Sequence, residues 1–363
     1  MDTESRLVPL RGRGTSANPA NRFERLHFEP DAESSPEVPP HTQFFRDHSR
    51  TIIARNESPD VGFEASINPY RGCEHGCVYC YARPYHEYLG FSAGLDFETR
   101  ILVKEDAPEQ LRSALASPRH EPKPLLLSGV TDPYQPAERR LRVTRRVLEV
   151  LAECRHPVAL ITKNALVTRD VDLLARLAEV GAVSVTLSIT TLDNDLQRVL
   201  EPRTSTPAKR LEAVRVLAAA GIPVGVNVAP VIPGLTDHEL AAILEAAAEA
   251  GAKRAAYLVL RLPYGVKDMF ETWLRHHRPD RSAKVLNRIR SLRGGALNDS
   301  RFHTRFRGEG PFAMQLNQLF HVTCRRLGLD TGRTALASSA FVPPVAPVSP
   351  PIQRGLFDEA APR

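Results

Sequence analysis

The stretch "NPYRGCEHGCVYCYARP", Asn68–Pro84, places Cys73, Cys77 and Cys80 within eight residues in a C-x3-C-x2-C pattern. Thiolates at such spacing hold metal. Structural zinc takes four ligands in a tetrahedron, and an electron-transfer iron–sulfur cluster is also held by four. No fourth cysteine lies nearby; the two others are Cys154 and Cys324. The stretch follows the strand-like run "EASINPY", so it reads as a loop at the end of a first strand.

Outward from that loop the chain alternates. "PEQLRSALAS" reads as a short helix and "PLLLSGV" as a buried strand; "AERRLRVTRRVLEVLAEC" follows as one amphipathic helix. The strands "PVALITK", "AVSVTLSI", "PVGVNVAPV" and "AAYLVLRL" are separated by the helices "RDVDLLARLAEVG", "PAKRLEAVRVLAAAG" and "TDHELAAILEAAAEAG", the last capped by Thr236. Short aliphatic runs alternating with helices predict βαβ units and a parallel sheet. Six such strands make an α/β fold, an open partial (βα)6 barrel short of the closed eight, with chemistry at the C-terminal strand ends. The cysteine loop falls on that face.

The flanks read differently. Residues 1–60 are rich in Pro, Ser, Arg and Glu and are expected to form a mostly disordered arm, with one short strand at Thr51–Ala54. The barrel is expected over 61–265 and a basic, mainly helical extension over 266–334, with a Pro-rich disordered tail over 335–363. Net charge is +6, and residues 275–326 carry twelve Lys/Arg against three Asp/Glu. That concentration predicts a polyanionic partner, DNA or RNA, with Phe302, Phe306 and Phe312 interleaved for stacking. A solvated helical face is the other reading. Five cysteines, three of them clustered, argue for a reducing compartment rather than a disulfide framework. With no apolar run long enough for a membrane span and no signal-peptide pattern at the N-terminus, the expectation is a cytoplasmic protein.

A 4Fe–4S cube held by three cysteines leaves one iron free to bind a small molecule. The pattern Cys73-x3-Cys77-x2-Cys80, with Tyr79 before the third cysteine, resembles the signature of the radical S-adenosylmethionine (radical SAM) enzymes over residues 65–265. Zinc with His75 or His86 as fourth ligand remains the alternative, at an uncommon spacing. The resemblance implies one three-cysteine 4Fe–4S cluster, SAM, and a one-electron reductant of flavodoxin or ferredoxin type. One electron passed to the sulfonium gives methionine and a 5′-deoxyadenosyl radical, while the protein orients and shields. It further implies that Ser128, Gly129, Thr131 and Asp132, after the second strand, meet the SAM amino group. Lys163 would meet the carboxylate, Ser188 and Thr190 the ribose, and Asn227 the adenine side, with Arg203 as a planar fork for a carboxylate. Cys154 and Cys324 fall at helical spacing from apolar residues and are expected in the core.

Tyr79 and Tyr81 around Cys80, the strand ends "TD" and "TK", and "EPRTSTPAKRL" resemble the spore photoproduct lyases and their photolyase-like relatives of unassigned substrate. That resemblance implies DNA repair or a related nucleic-acid activity in bacteria, and Tyr79 and Tyr81 as radical relays. One departure matters. The lyases carry a hydrogen-donating cysteine near the end of the second strand, where this chain has Ser128-Gly129-Val130-Thr131. A radical SAM enzyme acting on a peptide or metabolite, and a non-enzymatic cluster or zinc module binding nucleic acid, stay as alternatives. Near the chain end, "QRGLF", Gln353–Phe357, resembles the short peptide by which bacterial repair and replication proteins dock on the sliding clamp.

Overall fold

In the computed structural model, which describes residues 10–24, 40–332 and 335–345, the first elements are β1 (Gln43–Arg46), β2 (Ile53–Arg55), β3 (Ala65–Ile67) and β4 (Tyr70–Arg71). After the cysteine loop come α1 (Leu95–Thr99), β5 (Arg100–Val103), α2 (Ala107–Leu115) and β6 (Leu125–Leu127). Then follow α3 (Glu138–Leu141), α4 (Val143–Glu153), β7 (Val158–Thr162), α5 (Val171–Ala178), β8 (Val183–Ser188), α6 (Asn194–Leu200) and α7 (Pro207–Ala219). The chain continues through β9 (Val224–Val231), α8 (Leu240–Glu249) and β10 (Arg254–Val259), and the C-terminal extension supplies α9 (Val266–His277), α10 (Pro279–Leu292) and α11 (Pro311–Leu327).

The main sheet has the order β10-β9-β8-β7-β6-β3-β2. Its six strands from β3 to β10 are parallel, and β2 is antiparallel on the outer edge. These are the six expected strands, with β2 one residue beyond the expected Thr51–Ala54. The reason they form is burial: Leu160, Val185, Leu187, Val224, Val226 and Val228 are fully or almost fully buried against Leu148, Leu174, Val214 and Ile243 of the crossover helices. One expected helix is broken. Arg142 sits in the left-handed region at φ 52°, and the buried Glu138 carboxylate accepts the Thr144 and Arg145 amides, so α4 restarts with its own cap. Thr236 does not cap α8 either; its hydroxyl accepts the Ile232 amide, and a 3-10 turn Asp237–Glu239 precedes the helix.

Parts of the flanks expected to lack structure are built into the fold. β1 pairs in parallel with β5, which pairs antiparallel with β4, in a small separate sheet. Residues 10–24 lie across the cysteine loop. The Gly14 amide donates to Glu98 Oε2 at 3.0 Å and the Leu95 amide to Ala17 O at 3.1 Å. At the C-terminal side, Ala337 N donates to Gly181 O and Val342 N to Cys154 O, both at 2.9 Å, and Phe341 packs on His120 and His156. The remainder of both flanks, including Gln353–Phe357, lies outside the described residues.

The C-terminal extension covers the barrel's open side. The β10 edge gives Val259 N to Phe306 O at 2.8 Å and Ala255 N to Asp330 O at 2.9 Å, and Arg305 Nε reaches Asp60 Oδ2, beyond β2, at 2.7 Å. An exposed strand edge is thereby paired. No helix among the described residues is long and apolar enough to cross a membrane.

Candidate metal centre and the polar network behind it

The loop between β4 and α1 is folded so that its three thiols are sheltered: Cys73 and Cys77 are buried and Cys80 half-buried. Cys73 N donates to Phe97 O, and Val78 N to Leu200 O. The fully buried Arg83 gathers the loop's carbonyls, donating to Cys77 O at 3.0 Å and Gly94 O at 2.9 Å while ion-pairing with Glu98 at 2.5 Å. Gly76 has φ +67°, and a Cβ there would stand 2.7 Å from Glu98 Oε2. Gly14 packs tighter still; a Cβ on it would lie 1.7 Å from Gly76 O, so the strap and loop meet only because both positions are glycine.

Three sheltered thiols on one loop are a donor set that suits an iron–sulfur group. Among the described residues no three Cys, His, Asp or Glu side chains converge to hold a single metal ion. His75 spends its ring nitrogens on Asp132 Oδ2 at 3.4 Å and Asn164 Nδ2 at 3.1 Å. His86 is wedged against Phe91 and Phe97, and its burial pushes it down to about 4, so it is neutral. Burial raises all three thiols above their ordinary value, so iron must displace their protons to bind. Cys154 and Cys324 are core residues, as expected.

Behind the loop lies a network centred on Glu201, a residue the sequence did not single out. Lys163 Nζ donates to Glu201 Oε1 at 2.9 Å, to Thr190 Oγ1 at 2.9 Å and to Ala229 O at 2.8 Å. Tyr79 OH and Arg210 also bond the Glu201 carboxylate. Burial pushes this carboxyl up, but Arg210 and Lys163 outweigh it and hold the group far below the usual carboxylate range. An ammonium has three donors. All three of Lys163 meet groups of the chain in this arrangement. Thr190 is fully buried in the same network.

The second-strand residues are likewise occupied. Thr131 Oγ1 donates to Gly72 O at 2.6 Å, Ser128 Oγ donates to Thr131 O, and Asn68 Oδ1 accepts the Gly129 and Val130 amides. Asp132 accepts from Thr162 Oγ1 at 2.7 Å and the Lys163 amide at 2.8 Å. Burial pushes Asp132 up, yet His75 and these donors hold it below its ordinary value. These residues therefore brace the cysteine loop against β6 and β7. Arg203 pairs with Glu74 at 3.1 Å on the loop's flank, beside a cavity of about 300 Å³ that Arg139 and Lys209 also line. Ser188 and Asn227 are register partners on β8 and β9, so they share a face, and Asn227 Oδ1 is buried without a hydrogen-bond partner. That free acceptor is the one predicted cofactor contact with an unmet bond. Tyr81 is half exposed, its hydroxyl on Gly129 O at 2.6 Å.

The basic segment is less free than its charge suggests. Arg301 pairs with Asp299 and Glu309, Arg305 with Asp60, and the buried Arg293 donates to Leu260 O. Phe312 packs against the core and beneath Arg288.

Residues 67–247 match the family model described as the Radical SAM superfamily. An uncharacterized protein of Mycobacterium tuberculosis is 37% identical over 244 residues, covering 66% of this chain and 71% of the relative. A protein of Pseudomonas phage M6 named radical SAM Nalpha-GlyT isomerase is 27% identical over 174 residues, covering 47% of this chain and 34% of its own. Among solved structures, spore photoproduct lyase complexed with dinucleoside spore photoproduct superimposes with a TM-score of 0.57 at 18% identity, covering 79% of this chain and 80% of that one, a likeness of fold. With the three-cysteine loop after the first parallel strand of an open six-strand barrel, and the family match spanning that loop, this chain belongs to the radical SAM superfamily.

Proposed function

We propose that this protein is a radical SAM enzyme that modifies or repairs nucleic acid. The family implies a 4Fe–4S cluster and SAM; Cys73, Cys77 and Cys80 would hold the cluster and Asn227 with Ser188 would meet SAM. When bound, the reduced cluster supplies one electron that splits SAM into methionine and a 5′-deoxyadenosyl radical, the oxidant for a substrate C–H bond. The chain's own residues do the rest. Arg83 and the strap at Gly14 exclude water from the loop, and the Glu201 network fixes Tyr79 beside Cys80.

The observation that carries the nucleic-acid reading is the construction of α10. Its inner residues Val285, Leu286 and Ile289 belong to one apolar cluster with Cys77, Val78 and Tyr79. Its outer residues Arg281, Lys284 and Arg288 are exposed at helical spacing. A cationic helix face thus covers the apolar cluster that the cysteine loop belongs to. The fold neighbour complexed with dinucleoside spore photoproduct accords with this reading. The segment Ser128-Gly129-Val130-Thr131 has no thiol where the lyases are implied to carry their hydrogen donor, and a hydroxyl O–H bond is too strong to return hydrogen to a carbon radical, so the assignment is a reaction without that donor.

The test uses anaerobically reconstituted protein with a flavodoxin or ferredoxin as reductant. SAM cleavage to 5′-deoxyadenosine should rise on adding DNA or RNA. Replacing Arg281, Lys284 and Arg288 by Ala should lower the slope of log K against log salt by up to about one unit per lost phosphate contact. Absence of binding at low salt would return the assignment to a peptide or metabolite substrate.

A further inference from the structure

The short 3-10 helix Arg83–Leu89 that leaves the cysteine loop buries Arg83, Pro84, His86 and Glu87 and turns its tyrosines outward. Residues three apart eclipse in a 3-10 helix, so Tyr85 and Tyr88 stand on one side. They are 54% and 67% exposed, with ring centroids 6.5 Å apart. Tyr88 lies 4.8 Å from Phe23 of the N-terminal strap, itself 53% exposed. The Arg22 guanidinium sits 5.0 Å from the Phe23 ring and 3.7 Å from Tyr264, which is 60% exposed, and Glu87 holds it there at 2.7 Å. At the other end stands Tyr81, the residue after Cys80, four positions before Tyr85 and 49% exposed.

Single exposed aromatic rings on a surface are ordinary; a contiguous run is not. Here the rings come from three separate parts of the chain and form one track, with the Arg22 guanidinium between Phe23 and Tyr264, on the segment that leaves the cysteine loop. We propose that this track binds unpaired nucleotides, the rings and Arg22 stacking on successive bases of a single strand and leading one of them to the site. The inference rests on the nucleic-acid reading above and goes beyond it by fixing the form of the substrate. Its physics differs from that of α10: the helix face offers charge to phosphates, and the track offers π faces, which every base can meet. Tyrosine suits this surface because its hydroxyl keeps the ring soluble while its face remains free.

The experiment titrates anaerobic, cluster-loaded protein with single-stranded and duplex oligonucleotides carrying 2-aminopurine, whose fluorescence is quenched by stacking. The wild-type chain should quench the single strand and prefer it to the duplex. A Tyr85→Ala, Tyr88→Ala variant should lose the quenching and about ten-fold or more in affinity, with an unchanged salt slope, since no phosphate contact is removed. Tyr85→Phe, Tyr88→Phe should restore both. Iron content and thermal midpoint of each variant check that the fold is intact. If the wild type binds but the Ala variant binds and quenches equally, the track is overturned while the nucleic-acid reading stands. A wild-type preference for duplex also overturns the track. If the wild type binds neither oligonucleotide at low salt, the reading and the track fall together.

Discussion

Glu201 shows how much one residue can organise. It joins Lys163 from the end of β7, Thr190 beyond β8 and Arg210 from α7, and it fixes Tyr79 in the cysteine loop. Glu201→Gln leaves the buried Arg210 and the partly exposed Lys163 short of their counter-charge, so a loss of about 3–5 kcal/mol is expected, read as a drop in denaturant midpoint with an unchanged slope. Tyr79→Phe removes the hydroxyl's bonds to Glu201 and Thr190 and should cost about 2 kcal/mol; equal losses would mean that the phenol, not the charge balance, matters. Replacing Cys73, Cys77 or Cys80 singly by Ala should abolish SAM cleavage and reduce reconstituted iron from about four per chain. Full cleavage in any one of the three would falsify their assignment as ligands.

Among the elements, the N-terminal strap and the docked part of the tail are flank segments held on the barrel by a few named contacts. Gly14→Ala places a Cβ where Gly76 O already stands. The strap should lift, shown by faster proteolysis within residues 10–24 and faster bleaching of the reconstituted cluster in air. The tail depends on pH. His120 and His156 face each other at 2.9 Å under Phe341, with Glu121 beside His120. Burial and His120 together push His156 down from 6.5 to about 4. Because the docked state binds fewer protons there, docking is strongest above pH 6.5 and weakens as pH falls toward about 4. Hydrogen-exchange protection of the Val342 amide should fall over that window, and His156→Phe should reduce the dependence to the part that His120, also held down by burial, carries.

At the scale of the whole molecule, an open barrel must deal with its gap. The Arg305–Asp60 pair, 15% and 5% exposed, ties the C-terminal extension to the loop beyond β2 across 245 positions. Burial pushes Asp60 up, but Arg305, Ser58 and the His303 amide outweigh it and hold the carboxyl down at about 2, against an ordinary 3.8. The pair's stabilisation is therefore complete above pH 3.8 and is lost as pH falls through about 2. Arg305→Ala should cost about 1–3 kcal/mol near neutral pH, and the gap from wild type should close in acid. A gap that persists at pH 2 would assign the loss to the aromatic packing of Arg305 on Phe302 and Phe306 instead.

The local features of this protein are written in its sequence. The cysteine spacing, the aliphatic runs of β6 to β10 and the helices between them depend on neighbours within a few positions, which is the range over which periodicity and turn chemistry act. That range was enough for the open parallel barrel and for the three-thiol loop at its strand ends. It could not reveal that Lys163 is spent on Glu201, 38 positions away, or that Arg305 is a clasp rather than a phosphate contact. Nor could it place Phe23 on Tyr88, or β1 beside β5. A charged or aromatic side chain looks the same in a sequence whether it is free or paired. Its partner comes from another βα unit or from a flank, and only the closed chain brings the two within the few ångströms where hydrogen bonds, ion pairs and ring contacts act.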